Sequence, residues 1–278
     1  MRCYLAEFLS DPRVVKLPRF LWLPLLHGVV LRSRPAKTAE KYAQIWTAEG
    51  SPLAVHTQRQ ANLLKEKLSI PVEYAMRYGE PSIASALQKL GDPGLVVPLY
   101  PQYSESTTQS VADAIPASAR MVHDFHDHPA YIGALAANLR RHWQHHGRSA
   151  MLLMSFHGLP KRGGAVYEQQ CRTSARLLAE NLALKEDEWR ISFQSRFGFA
   201  EWLQPYTQPT LVELARSGCA RVDVACPGFV ADCLETLEEI GITARKSYLA
   251  AGGREFHLVP CLNASPEWIA ALARIAAV

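Results

Sequence analysis

Short apolar runs bounded by glycine or proline recur along the chain, and between them lie longer stretches whose apolar residues return every three or four positions. The runs Val72–Met76, Leu95–Leu99, Met121–Phe125, Ala150–Phe156, Trp189–Phe193, Arg221–Cys226 and Glu255–Val259 read as strands. The stretches Ser51–Leu68, Ser82–Leu90, Ala130–His145, Tyr167–Leu182, Thr207–Ser217, Asp232–Ile240 and Pro266–Ala277 read as helices. Strand and helix alternate, which predicts an α/β fold of parallel sheets covered by helices on both faces. Its 278 residues suit two doubly wound units better than one, with the seam at Ala114–Ala119. The halves are unequal. Only two strand candidates precede the seam, too few for the helical segments around them, so the first half is expected to lack a strand. The chain also opens directly into a helix-like stretch, Cys3–Leu9, closed by Ser10, Asp11 and Pro12. An element upstream of Met1 is therefore expected.

One run is more apolar than the rest. Phe20–Leu31 contains Pro24 and His27 and is shorter than the roughly 20 residues a bilayer-spanning helix needs. Two readings stand: a buried helix end or loop, or an exposed apolar lip that receives a greasy ligand.

The composition removes several classes. Hydrophobic residues make up 48% of the chain, which excludes disorder. The net charge of +4 is spread without a basic run, so nucleic acid is not indicated. Cys3, Cys171, Cys219, Cys226, Cys233 and Cys261 show no CxxC pair, and no secretory signal precedes them. They read as reduced thiols in a cytoplasmic protein.

Ligand sites in open α/β sheets lie beyond the carboxyl ends of strands. His157 occupies one such end, followed by Gly158, Leu159 and Pro160. Another leads through Pro227, Gly228 and Phe229 into a helix whose Asp232, Glu235 and Glu239 share a face. A solvated charge stripe explains Asp232 as a cap, but Glu239 lies too far along the helix for that. The aromatic side chains Phe197, Phe199, Trp202 and Tyr206 near Arg196 read as core or as a stacking wall for a flat ligand. The cluster His123, Asp124, His126, Asp127 and His128 straddles a strand end and a helix start, and reads as a capped surface turn rather than a metal site. No GxGxxG, GxxxxGK[ST] or GxSxG motif follows a strand.

Seven ordered stretches and a closing pair then resemble the ferrochelatases, which insert ferrous iron into a porphyrin late in haem synthesis. They are Gly50–Leu53, Met76–Gly79, Pro98–Ser104, Ser155–Pro160, Phe193–Gly198, Glu201–Thr207 and Cys226–Ile240, with Leu262 and Asn263. The resemblance implies two similar doubly wound, Rossmann-like lobes with parallel sheets and a porphyrin cleft between them. The lobes are expected at residues 1–116 and 117–261, with a terminal helix in 262–278 packing back on the first. In the family, the positions of His157 and Glu235 face each other across the macrocycle and serve as catalytic groups and metal ligands. Glu239 matches a relay acid further out. Arg77, Tyr78, Ser104, Ser106 and Trp202 match positions lining or supporting the cleft.

The resemblance further implies Fe2+ and protoporphyrin as substrates, protohaem as product, no resident cofactor and a monomeric chain. Transient contact with a membrane surface is expected through Phe20–Leu31. The family's amino-terminal strand and NLGTP-like loop have no counterpart here, and Lys161–Val166 is shorter than the family's loop at that place. Both departures favour, as the alternative, a truncated and catalytically impaired porphyrin- or haem-binding member. No cysteine-bearing carboxyl-terminal extension is present, so no iron-sulfur cluster is expected.

Overall fold

Leu5 and Leu9 lie one turn apart on the first helix, and they close a small leucine core with Leu26 and Leu31. The computed structural model describes residues 1–91, 94–198 and 200–277, and they divide into two compact units. The first comprises Met1–Pro98 and Tyr103–His123; the second comprises Leu99–Gln102 and Asp124–Val278. The division thus falls at His123/Asp124, past the Ala114–Ala119 seam.

In the first unit, α1 (Arg2–Ser10) is followed by α2 (Arg19–Leu25), a π turn at Leu26–Val30, and α3 (Leu31–Ala43). The apolar run is therefore helical and it both buries and exposes. Leu26 and Leu31 turn into the leucine core, while Phe20 is 77% and Leu21 60% exposed. Trp22 Nε1 donates to the carbonyl of Leu9 at 2.6 Å, tying α2 to the end of α1. Among the described residues no helix is long and apolar enough to cross a membrane.

Next come α4 (Pro52–Leu68), α5 (Ile83–Leu90), β1 (Leu95–Val96), a π turn at Glu105–Gln109, α6 (Ser110–Ala112) and β2 (Arg120–Met121). β1 and β2 pair in parallel over two residues each. Val72–Met76 forms no strand; only Met76 bridges, to Ser82. An extended run becomes a strand when a neighbour takes its backbone groups, and this run has no ladder beside it. The α/β expectation with parallel sheets holds; among the described residues the first unit carries a two-stranded sheet and the second a four-stranded one.

The second unit matches the α/β pattern closely. It contains α7 (Pro129–His146), β3 (Met151–His157), α8 (Ala165–Asn181), β4 (Trp189–Gln194), α9 (Thr207–Arg216) and β5 (Arg221–Ala225). A π stretch at Glu235–Ala244, α10 (Arg245–Ala250), β6 (Glu255–Leu258) and α11 (Pro266–Ile275) complete it. The four strands are parallel in the order β4-β3-β5-β6. β3 is apolar on both faces, as a central strand between helical layers must be. Leu153, Val222 and Val224 pack with Leu211, Ile240 and Tyr248 on one face. Leu152 and Met154 alternate with Leu153 and point the other way, both buried.

Two expectations change here. The helix expected at Asp232–Ile240 starts at Leu234 and runs for ten residues as a π stretch before regaining α geometry. The terminal helix, expected to return to the first lobe, packs within the second unit on α7. There Trp268 meets Tyr131 and Phe125 at ring-centroid separations of 6.1 and 5.9 Å.

Candidate active site

The parallel order brings the carboxyl ends of β3 and β4 side by side, with His157 opposite Gln194 in the ladder. Gly158 then accepts no side chain: an added Cβ would stand 2.6 Å from the Gln194 carbonyl and 3.2 Å from the Trp202 ring. The His157 ring is half-buried, and its Nδ1 lies 2.7 Å from the carbonyl oxygen of Gly158. A carbonyl only accepts, so Nδ1 carries the hydrogen. In the neutral ring Nε2 then holds the lone pair, available to a proton or a cation.

Gln194 connects this end to the acidic segment. It is buried, its Oε1 accepts from Ser155 Oγ at 2.7 Å, and its Nε2 donates to the Glu235 carbonyl at 2.7 Å. The Glu239 carboxylate is gripped by the next residue: Ser195 donates both its backbone N–H and its hydroxyl, each at 2.6 Å. Ser195 has φ +63°, a left-handed conformation that turns both donors toward one carboxylate.

The stripe read from the sequence is therefore divided. Asp232 is a buried anchor, accepting from Asn263 Nδ2 (2.7 Å), Thr236 Oγ1 (3.1 Å) and the Cys261 N–H (3.3 Å). Glu238 is buried and accepts from Thr243 Oγ1 at 3.0 Å. Glu235 and Glu239 remain partly open to solvent. Three thiols lie in the same region, and burial pushes Cys226, Cys233 and Cys261 well above the ordinary thiol range. As neutral thiols they compete poorly for a metal.

The other expected site residues fall as follows. Trp202 is buried against Phe197 at a ring separation of 4.9 Å, and its Nε1 is buried with no hydrogen-bond partner. Phe199 lies outside the described residues. In the first unit, Ser104 Oγ lies 2.6 Å from Thr107 Oγ1 and 3.2 Å from Ser106 Oγ. Arg77 and Tyr78 converge on the buried Asp11: Arg77 Nη2 and Tyr78 Oη donate to Asp11 Oδ2 at 2.7 and 2.8 Å, joined by Ser110 Oγ at 2.5 Å. Burial raises the Asp11 carboxyl, but the bonds from Ser110, the Arg13 N–H and Tyr78, with the Arg77 charge, outweigh it and hold the group below the usual carboxylate value. In the histidine-rich turn His128 accepts from the Ala130 N–H at the start of α7, and His126 Nδ1 lies 2.6 Å from Asp124 Oδ1.

Gln194 and Ser195 were missed as site residues. Gln194 ends an apolar strand, the same signal that singled out His157.

Residues 1–277 match the ferrochelatase family model. The chain belongs to the ferrochelatase family. The ferrochelatase of Azoarcus sp. (strain BH72) is 56% identical over 294 residues, covering 99% of this chain and 81% of the relative. That of Polaromonas sp. is 54% identical over 298 residues, covering 100% and 81%. The 294 aligned positions exceed the chain's 278 residues by 16, so the relative carries residues within the matched region that have no counterpart here. Among solved structures, SirB from Bacillus subtilis with Fe3+ superposes with a TM-score of 0.57 at 17% identity, covering 82% of this chain and 91% of that one. CbiX, the terminal enzyme for biosynthesis of siroheme in denitrifying bacteria, gives 0.53 at 18%, covering 80% and 88%. These two speak for the fold. As a ferrochelatase the chain is an enzyme that inserts iron into a porphyrin, and the impaired-member alternative is not favoured.

Proposed function

We propose that in this ferrochelatase His157 accepts a pyrrole proton through Nε2, while Glu235 holds the incoming ferrous ion and presents it to the ring. Metallation must remove two pyrrole N–H protons, strip water from Fe2+ and form four iron–nitrogen bonds. The observation that carries the assignment is the Nδ1–H bond of His157 to Gly158, which leaves Nε2 as the basic nitrogen. A lone carboxylate such as Glu235 suits transient delivery, because a cage of thiolates would hold the iron against transfer. Glu239, held by Ser195, keeps the Glu235 segment against the end of β4 and adds negative charge on the path of the ion. The reading needs no resident cofactor, and iron and protoporphyrin both enter as substrates.

Anaerobic assay of the purified chain with Fe2+ and protoporphyrin tests it. His157→Ala and Glu235→Gln are each expected to abolish metallation while porphyrin still binds. A His157→Ala enzyme retaining more than about a tenth of the activity would remove His157 from the chemistry, since a positioned acid or base contributes about 10²–10⁴-fold.

Peripheral membrane contact is the second part of the reading. Leu17, Phe20, Leu21, Leu25 and Val29 are exposed around α2, with Lys16, Arg19 and Arg32 near them in sequence. An apolar helix face flanked by basic residues lies well in an anionic interface. Sedimentation with phosphatidylglycerol vesicles is expected to carry the chain down, and Phe20→Ser with Leu21→Ser to release it; equal recovery of both would refute the contact.

A further inference from the structure

At the amino-terminal ends of the second unit's strands, three imidazoles gather. His142 and His146 stand one turn apart on the last turns of α7, and His257 rises from β6. Their ring centroids lie 4.6 Å apart for His142 and His146, 5.2 Å for His146 and His257, and 5.8 Å for His142 and His257. His142 is only 8% exposed, and its Nε2 is buried with no hydrogen-bond partner. Leaving such a nitrogen unpaired costs about 1–3 kcal/mol.

We propose that His142, His146 and His257, together with the Glu255 carboxylate, form a second site for a divalent transition-metal ion of the zinc, copper or nickel class. The donor set fits that class, since imidazoles suit these ions and a four-residue spacing on a helix places two of them on one face. Three imidazole nitrogens about 2.1 Å from one tetrahedral ion put their ring centroids roughly 5 Å apart, the spacing found here. In the resting rotamers the nitrogens do not converge as closely as in the Asp124, His126 and Asp127 group, whose ligand atoms lie within 4.8 Å of one another. A half-turn about the outer side-chain bond exchanges the nitrogen and carbon edges of a ring. Glu255 Oε2 already stands 3.7 Å from His257 Nε2.

The surroundings favour a cation. Asp223 is fully buried and pairs with His257 in the β5–β6 ladder. It accepts from Trp143 Nε1 at 2.7 Å and the Ser149 N–H at 3.3 Å, and its Oδ1 has no hydrogen-bond partner. A carboxylate beneath the ligating rings is the usual acceptor for their second N–H. Arg221 is shared between Asp223 (3.7 Å) and Glu255 (3.6 Å) and donates to the Gly147 carbonyl at 2.6 Å. Of these three groups two are carboxylates and one a guanidinium, a net negative charge beside the imidazoles. Asp223 lies beside Leu152 in the sheet, five residues before His157 on β3, so the site is about 17 Å from the metallation end.

The test is calorimetric titration of the full chain with Zn2+ in the absence of porphyrin, on a Glu235→Gln background that weakens the substrate site. One zinc is expected to bind and raise the melting temperature, and Co2+ in its place to show the intense visible bands of a tetrahedral ion. Because His142→Ala removes a buried ring, the exposed His146 and the edge residue His257 carry the test. His146→Ala and His257→Ala are each expected to weaken zinc binding tenfold or more and to abolish the cobalt bands, with the metal-free melting temperature unchanged. Binding equal to the parent's in both variants, or no zinc bound by the parent, would overturn the proposal.

Discussion

Ser195 and Glu239 hold one another through two hydrogen bonds of 2.6 Å, one from the serine's backbone and one from its hydroxyl. The pair clamps the loop after β4 to the middle of the π stretch. A carboxylate expected only to hand iron inward is thus also a structural fastening, and the two glutamates of the segment should separate by experiment. Glu239→Gln is expected to lower stability by about 1.5–3 kcal/mol, as hydrogen bonds to a charged group typically contribute. Glu235→Gln should leave the melting temperature unchanged and remove turnover. Paired thermal melts and kcat measurements at saturating iron would check the split.

His157→Ala should cost activity without cost in fold. The ring's hydrogen bond is to the carbonyl of its own neighbour, Gly158, and β3 is held through its backbone ladders. Expected is a loss of about 10²-fold or more in kcat with porphyrin affinity kept, read by fluorescence quenching of the protein on porphyrin addition.

Gly158→Ala should do the reverse and damage the frame. Its methyl would sit 2.6 Å from the Gln194 carbonyl, which is also the acceptor for the Gly158 N–H at 2.8 Å. A forced shift of the two strand tips should cost about 1–3 kcal/mol and misplace His157 and Gln194 together. Urea denaturation and assay of the same preparation would show both losses.

Asp11 predicts how the first unit answers acid. Its carboxyl is held below the ordinary value, so its ionised form stabilises the folded state. That contribution is fully present above the unfolded value of about 4 and is lost as pH falls through the lower folded value. Asp11→Asn should lower stability at pH 7 and flatten its fall between about pH 5 and pH 2. Urea midpoints across that range, for both proteins, measure it.

The thiols give a simple count. Cys3 is exposed and Cys219 partly so, while Cys171, Cys226, Cys233 and Cys261 are buried, and burial holds all four of these thiols protonated. Ellman's reagent at pH 8 should titrate Cys3 at once and the four buried thiols only after denaturation.

Most of the second unit was legible because β3, β4 and β5 are short apolar runs whose every residue finds a ladder partner or a helix. The same signal misled at Val72–Met76, where composition matches a strand but, among the described residues, only Met76 finds a bridging partner. Phe20–Leu31 was ambiguous for a related reason: a run apolar all round does not say which side faces the core, and it proved to use both. In the candidate site, His157 and Glu235 stand out as strand-end and helix-face residues. Gln194 did not, because an amide carries no charge pattern and its role rests on a fold that joins residues 41 positions apart in sequence. Asp232 looked like a member of the charge stripe until Asn263, far along the chain, turned it into an anchor.

The contrast between the two sheets has a consequence for how the molecule opens. β3 is flanked by β4 on one side and β5 on the other, so its amides cannot meet solvent until the whole second unit comes apart. β1 and β2 share a ladder of two residue pairs, which fraying of a few bonds is enough to undo. Amide hydrogen exchange should therefore run in two regimes, with Leu152–Phe156 the last to exchange, at the global unfolding free energy, and Leu95–Val96 among the first. The first unit becomes the part of the enzyme that rearranges cheaply, and the second the fixed anvil that carries the proposed metallation groups, His157 and Glu235.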